Sequence, residues 1–483
     1  MSGFWKQNTT LEKREKLSLA QSFSDFITEE KEPDIEKYRA VVISTEHGEK
    51  GKTADRMSEE AKKLGIEMYV IPMRGTYILS EDGKITIHRD DDEKGFEINQ
   101  NDTVVFMRGT PTRLSYLDLI TQLERLGIPM INSRQCLERA SDKYRTYLRL
   151  KDFGLDQPKT VLVSDPDAIP TALEKLDSKF PMIMKTLEGS KGVGVLWVES
   201  ERSLKSLTQT LYKTNKETDL LIQEYIKTDY DVRVLVLNNT VITAMKRNIV
   251  EGDFRSNASQ GAKVEPFKLT ELEKDQCIHA AKSIGGIFTG VDFIPSKDRE
   301  KIRPKFLEVN HSPGTEGIEE ATGENVSKII LKHFMDKNNR FTQPHDCGFL
   351  ETLYIKPWGP IIAKFDTGNS SLSVIHGDDI ELKGGKVHFT LFDERHSFPI
   401  VRKKKVNLGG LRDYSEERYT IKLDVEFAGT TYKDVEFTVD DRRNRTRILL
   451  NRDFMRRINV RVDPQRKYVI TTKLELHKRD IEK

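Results

Sequence analysis

Lys185 stands four residues ahead of a glycine-rich string, Gly189-Ser-Lys-Gly-Val-Gly194, and the string lies between two apolar stretches that read as strands. Glycine lets a backbone bend sharply and bring its N–H groups against phosphate oxygens, and an ammonium on the strand before it would sit over those phosphates. A Rossmann fingerprint would need a helix after the glycines, and a Walker A loop would end in Gly-Lys-Ser/Thr; neither is present. Taken alone, the string reads equally well as a tight hairpin. A second group is Asp292 with Glu308-Val-Asn310. Residues i and i+2 of a strand face the same way, so Glu308 and Asn310 project together. Two carboxylates and an amide carbonyl are hard oxygen donors of the kind Mg²⁺ accepts alongside phosphate. Both residues sit in Phe306-Leu-Glu-Val-Asn-His-Ser-Pro-Gly314, between an apolar strand and a turn. Unpaired charge is expensive there, which favours a ligand over a solvated face. A third feature is Asp366-Thr-Gly368, which follows the apolar run Ile361-Ile-Ala-Lys-Phe365. It would present a carboxylate at a strand end, although Asp-Thr-Gly is by itself a common turn tripeptide.

These residues need elements to hold them. Residues 1–38 read as a polar, helix-prone extension. Over 39–138 the strands Ala40–Ser44, Glu67–Pro72 and Asp102–Met107 alternate with helices Thr53–Leu64 and Leu114–Leu126, which predicts a parallel α/β unit. A helix then opens at Ser141–Leu150, with Ser141 as its cap. Within 139–336 the pattern becomes α+β, with short β-rich runs, a helix at Thr270–Ile284, and strands at Gly290–Ile294 and Lys305–Val309. Antiparallel sheets carrying a site between them are expected. Residues 337–348 are polar, with Asn, Pro and Gly, and read as a linker. From 349 to 472 only short strands follow, the last at Lys467–Leu476, which predicts an all-β barrel or sandwich; 473–483 is a charged tail.

The run Ser141-Asp-Lys-Tyr-Arg-Thr146 resembles the entry to the ATP-grasp region of RimK-type ligases, and Met182–Val195 resembles that family's lysine strand and glycine loop. Leu221–Val236 is similar to the interdomain hinge and the Asp-x-Arg strand beyond it. Glu251–Asn257 resembles the substrate-side loop, and Glu308–Gly323 the metal strand with its turn. The likeness spans roughly residues 140–335 in consistent order. It implies a multidomain fold: an α/β pre-ATP-grasp domain, then an α+β ATP-grasp domain. By the same resemblance Lys143 and Lys185 contact ATP phosphates, and the loop glycines Gly189, Gly192 and Gly194 close over them. Glu224, Tyr225 and Ile226 form the hinge that reads adenine, and Asp231 sits near the ribose side. Arg255, Ser256 and Asn257 touch nucleotide or substrate, while Asp292, Glu308 and Asn310 hold magnesium, two ions by family habit, with Mn²⁺ as a substitute. The implied reaction phosphorylates a carboxylate and lets an amine displace the phosphate. Arg233 and Arg255 would act on the reacting groups, and Arg247 is also suited to an acyl phosphate. Departures from the family occur at His311 and at Asn248-Ile-Val250, near the presumed amino-acid pocket.

The C-terminal region resembles the retropepsin-like family labelled "ATP-dependent zinc protease", through Asp366-Thr-Gly368, the β-rich text, and Ile448-Leu-Leu-Asn-Arg-Asp453. Asp366 would then be a catalytic carboxylate. An aspartic protease shares one proton between two carboxylates, so a single Asp-Thr-Gly requires a homodimer. Asn369 departs from the small residue usual after this turn. No zinc site is expected, since His376, His388 and His396 lack tight ligand spacing.

Composition narrows the classes. Charged residues make up 32% and hydrophobic residues 36%, and no apolar run approaches a membrane span or a secretory signal. Cys136, Cys277 and Cys347 are far apart and odd in number, so neither a disulfide framework nor a thiolate metal site is expected, and a cytoplasmic setting is. Residues 401–483 hold 22 Lys+Arg against 14 Asp+Glu. That basic surplus suits an acidic chain such as oligoglutamate; nucleic acid is not required. The expected partners are ATP, an amino acid (glutamate foremost), a protein or peptide acceptor, and a second copy of the chain. One reading is a ligase adding glutamate to a carboxyl end, with the β domain trimming the product. A second is a ligase making another small peptide, with the β domain dimerising or recruiting. A third is a non-enzymatic ATP-binding partner.

Overall fold

The computed structural model describes residues 39–471, apart from 45–51, 82–83, 90–91, 100–101, 112, 188–193, 250–262, 337–338, 340–343, 408–414 and 443–445. The chain divides into two compact units, Met1–Phe341 and Thr342–Lys483.

The first unit begins with a parallel sheet, Glu67–Pro72, Arg39–Ser44, Thr103–Arg108 and Met130–Ile131 in that order. Ala40 to Ile43 are fully buried, which explains why the strand is apolar on both faces. The Lys52–Lys63 helix buries Ala54, Met57 and Ala61, and the Leu114–Arg125 helix buries Leu119, Ile120 and Leu123. A hairpin sheet, Thr76–Glu81, Lys84–Arg89 and Asp92–Ile98, was not expected from the sequence.

Two antiparallel sheets follow. One runs Val195–Val198, Met182–Thr186, Leu220–Glu224, Thr160–Val163. The other runs Val264–Pro266, Thr240–Asn248, Tyr230–Leu237, Phe288–Ile294, Lys305–Asn310. The Glu271–Ile284 helix packs on the second sheet; Thr270 and Glu273 cap its N-terminus reciprocally and Gly285 ends it at φ 75°.

The entry helix differs from expectation. Ser141 is the last residue of a helix over Arg134–Ser141, capped by Ser133, and its hydroxyl donates to Leu137 O. The next helix, Lys143–Asp152, is capped by Asp142, whose carboxylate accepts from Arg145 N at 2.8 Å. Asp outcompetes Ser at this place because it sits directly before the first helical residue.

Asn132 ties these parts together. Its amide nitrogen donates to Phe288 O at 2.7 Å and His311 O at 2.6 Å, and its oxygen accepts from Ile287 N and Phe288 N. Asn132 is buried, so Asn132→Ala would strand these backbone groups without water. We expect a loss of about 3 kcal/mol or more by urea denaturation. A loss under about 1 kcal/mol would show that the groups find other partners.

The second unit is β-rich. Its main sheet runs Leu350–Ile355, Gly359–Phe365, Ile448–Leu450, Ser373–His376, Thr430–Asp440, Ser415–Phe427, Arg402–Asn407. Pairing of Tyr354 and Ile355 with Glu426 and Val425 closes the first six into a barrel around Leu353, Phe365, Ile375, Phe437 and Leu450. The Ile448–Leu450 strand lies parallel to Gly359–Phe365 and antiparallel to Ser373–His376. It therefore separates the two strands that the Asp366 loop connects. Two expectations are corrected. His345–Gly348, placed in a linker, is a strand paired with Val460–Asp463. Lys467–Thr471, read as the start of the last strand, is bent chain, and the rest of that run lies outside the described residues.

The bent segment wraps a buried carboxylate. Glu351 accepts from the backbone N–H groups of Gly348, Val469, Ile470 and Thr471, and from the Thr471 hydroxyl at 2.6 Å. Gly348 permits this approach, since a Cβ there would lie 2.8 Å from Arg466 O.

Candidate functional site

In the antiparallel sheet that runs from Val264–Pro266 to Lys305–Asn310, register aligns charges across four strands. Asp231 faces Arg247, Arg233 faces Asp292, and Asp292 faces Glu308. Arg233 forks onto Asp292, Nε to Oδ1 at 2.7 Å and Nη2 to Oδ2 at 2.6 Å, and its Nη2 lies 3.6 Å from Glu308 Oε1. Arg247 forks onto Asp231 at 2.7 and 2.8 Å, and its Nη2 reaches Asp292 Oδ2 at 2.9 Å. Asn310 donates to Glu308 Oε1 at 2.9 Å.

The electrostatics follow from this row. Burial alone would raise the Asp292 carboxyl, but the guanidiniums of Arg233 and Arg247 outweigh it and hold the carboxyl well below its usual range. Glu308 is pushed up, by desolvation of its head group and then by the Asp292 charge, although its side chain keeps 43% of its exposure. Hard oxygens on adjacent strands, one exposed to incoming solvent, are a donor set that fits Mg²⁺.

One sequence expectation changes here. Asp231, expected near the ribose side, is buried with its carboxylate paired to Arg247. Arg247 is buried between two carboxylates, so its guanidinium is not offered to an acyl phosphate. Cross-strand register created both pairs, and register is invisible in a single sequence.

Lys185 sits on the first antiparallel sheet and donates to Gln223 Oε1 at 2.7 Å; Gln223 in turn donates to Thr160 Oγ1 at 2.7 Å. Desolvation, against the pull of Glu308 and with the push of Lys143, lowers the Lys185 ammonium to about 8. Its coupling to Glu308 and Lys143 places all three in one electrostatic neighbourhood. Lys143, the first residue of its helix, donates to Leu187 O at 3.2 Å. Gln223 was missed by sequence reasoning; its alternation with Glu224 in the Leu220–Glu224 strand was the available signal.

At the hinge, Glu224 accepts from Lys159 N at 2.9 Å and its own N–H donates to Lys159 O. Tyr225 meets Trp197 edge-on at 4.7 Å, and Ile226 is half-buried. Gly194 holds φ 79°, and a Cβ there would fall 2.3 Å from Thr186 Oγ1, so this loop end requires glycine. Gly189, Gly192, Arg255, Ser256 and Asn257 lie outside the described residues.

His311 is buried, with burial first and Arg108 second lowering its imidazolium to about 4, and its Nε2 is 3.5 Å from Ser141 Oγ. It lines a cavity of about 10 Å³ with Thr53, Arg108 and Phe288, room for one water.

In the second unit Asp366 is half-buried and accepts from Gly368 N at 3.0 Å. Asn369 closes the turn, with its oxygen accepting from Ser371 N and its amide donating to Leu372 O. Asn451 locks the loop from the neighbouring strand: it donates to Ser371 O, shares a hydrogen bond with Ser373 Oγ, and caps the Arg452–Arg457 helix. No zinc site is expected from the histidine spacing; among the described residues His376, Asp378 and Asp441 come together. His376 Nδ1 accepts from Arg442 N at 2.9 Å and Nε2 faces Asp378 at 3.1 Å, so the histidine is satisfied without a metal.

Residues 140–334 match the RimK-like ATP-grasp domain, and residues 347–473 match the retropepsin-like aspartic endopeptidase RimB. The chain is 32% identical over 285 residues to the probable alpha-L-glutamate ligase of Psychromonas ingrahamii, covering 59% of this chain and 90% of that protein. It is 34% identical over 292 residues to the protein of the same name from Thioalkalivibrio sulfidiphilus, covering 60% and 92%. Among solved structures, the ATP-grasp ligase PsnB with a phosphomimetic precursor variant, Mg and ADP aligns at a TM-score of 0.48 and 20% identity, covering 61% of this chain and 97% of that one. A Chryseobacterium gregarium RiPP-associated ATP-grasp ligase, bound to ADP and a leader and core peptide, aligns at 0.48 and 16%, covering 62% and 98%. Among the described residues no helix is long and apolar enough to cross a membrane.

Proposed function

We propose, since this chain belongs to the RimK-like ATP-grasp ligases, that it adds glutamate to the carboxyl end of a protein or peptide. The carboxylate oxygen attacks the γ-phosphorus of ATP, ADP leaves, and an acyl phosphate forms. The amine of the incoming amino acid then attacks the carbonyl and loses a proton, and inorganic phosphate departs to leave an amide. The observation that carries this reading is the row Arg233, Asp292, Glu308, with Lys185 and Lys143 beside it. Such a site neutralises and positions phosphoryl oxygens, which is most of what phosphoryl transfer needs. Asp292, Glu308 and Asn310 would hold Mg²⁺, two ions in the fuller form of the proposal; bound there, it would neutralise the phosphates and polarise the transferred group. Lys185 and Lys143 would meet the phosphates, and Glu224, Tyr225 and Ile226 the adenine. Names of relatives supply glutamate; the acceptor is inferred from the reaction class.

The RimB-like domain is present, and we assign it the trimming of the ligated product through Asp366 in a homodimer. One Asp-Thr-Gly per chain also supports a second reading, a dimerising or recruiting module without catalysis. Incubation with ATP, Mg²⁺, an amino-acid pool and candidate acceptors, followed by mass spectrometry, tests both. Successive glutamyl increments are expected, with one ADP per increment, and longer products from Asp366→Asn. Increments of another amino acid would point to a different peptide ligase. No ADP formation with any acceptor would sink the ligase assignment.

A pH dependence follows. Phosphates need the Lys185 ammonium, which loses its proton as pH rises through about 8 in the nucleotide-free protein. Affinity for ADP should therefore fall above that pH, by up to about tenfold per unit for one linked proton. Lys185→Arg stays charged, so its affinity should stay flat across the same range. A parallel fall in both proteins would remove Lys185 from the phosphate site.

A further inference from the structure

We infer that Arg233 is the resident counter-ion of the Asp292–Glu308 pair, and that its present pose excludes a divalent ion bridging them. The inference rests on the cation-binding reading above. Asp292 and Glu308 are direct cross-strand partners. One guanidinium nitrogen, Arg233 Nη2, faces a carboxylate oxygen on each, at 2.6 Å and 3.6 Å. Mg²⁺ bonds carboxylate oxygens at roughly 2.0–2.1 Å, so an ion shared by both carboxylates needs the space this nitrogen occupies.

The two arginines are not equivalent. Arg247 is 5% exposed and is held by two carboxylates, Asp231 and Asp292. Arg233 is 20% exposed, and both of its partners are the candidate cation ligands. Arg247 is the fixed partner that keeps Asp292 ionised whichever cation is present. Arg233 is the exchangeable one. With a divalent ion held by Asp292 and Glu308, the Arg233 guanidinium would be free at the site's edge to meet phosphoryl oxygens. Cation and nucleotide therefore assist each other, and the protein without nucleotide holds a divalent ion weakly.

The test is Mn²⁺ binding to the nucleotide-free, full-length protein, read by loss of the free-ion electron paramagnetic resonance signal. Removing a competitor that occupies the site more than nine-tenths of the time tightens binding by about tenfold or more. Arg233→Gln should show that gain, and the double variant Arg233→Gln/Glu308→Gln should lose it. Arg233→Lys keeps a charge but not the fork, so it should lie between, and it serves if the Gln variant fails to fold. Unchanged or weaker Mn²⁺ binding in Arg233→Gln, with Glu308→Gln still abolishing it, overturns the counter-ion role and leaves the cation site standing. Mn²⁺ binding indifferent to Glu308→Gln in every background removes the cation site, and the inference with it.

Discussion

Glu308→Gln is expected to lower turnover by about 10²–10³-fold with the fold intact, whereas Asp292→Asn is expected to lose both turnover and stability. The difference comes from their surroundings. Glu308 keeps 43% of its side-chain exposure and lies 3.6 Å from Arg233, and its one close donor, the Asn310 amide at 2.9 Å, can still be accepted by the carbonyl oxygen of a glutamine. Asp292 is 3% exposed and accepts three N–H groups from Arg233 and Arg247. An amide would turn an NH₂ toward those donors and leave two guanidiniums sharing one neutral oxygen. Breaking a buried pair this way costs about 3–5 kcal/mol, which urea titration reads directly. Ligase turnover within a few-fold of the parent in Glu308→Gln would take that carboxylate out of the machinery. Equal stability losses in both variants would mean the row acts as one structural unit with no division of labour.

The second large effect belongs to the C-terminal unit. Glu351→Ala should destabilise it by at least about 3 kcal/mol, because four backbone N–H groups, that of Gly348 buried and the others partly so, and a hydroxyl lose their shared acceptor. Trp358 lies in this unit and donates to His396 Nε2 at 2.7 Å, so its fluorescence follows the unit's unfolding. Glu351→Gln should fall between, since its carbonyl still accepts while its NH₂ opposes the incoming donors. A shift within about 0.5 kcal/mol for Glu351→Ala would mean the 466–471 segment contributes nothing to this unit.

Much of the site could be read in advance because its signals are local. The i, i+2 pairing of Glu308 and Asn310, the lysine strand before the glycines, and the Asp366 turn after an apolar strand each fit within a few residues. The alternating strands and helices of 39–138 were similarly legible from periodicity. What escaped depends on partners distant in sequence. Arg247 reads as a free cation until register sets it against Asp231, and Asn132 has no local pattern pointing to Ile287, Phe288 and His311. Asp142 was passed over as a cap because Ser141 offers an equally good cap residue one position earlier, and only the break between the two helices separates them. Lys467–Thr471 carries the alternation of a strand, yet after one bond from Tyr468 N to Leu350 O the N–H groups of Val469, Ile470 and Thr471 all go to one carboxylate instead of continuing a strand ladder.

The short Ile448–Leu450 strand also sets a schedule. It must enter between Gly359–Phe365 and Ser373–His376, and Glu351 meets its last partners 118 to 120 residues downstream. At a ribosomal rate of about 5–20 residues per second, the early strands wait roughly 6–24 s for those partners to be synthesised. Until then the Gly359–Phe365 edge lacks its Ile448–Leu450 partner, the Glu351 carboxylate has only the Gly348 N–H among its donors, and the Asp366 loop has no Asn451 to hold its shape. The first unit's residues are complete before the second unit's last partners emerge, so the second unit is the part of the chain whose closure waits on the end of synthesis.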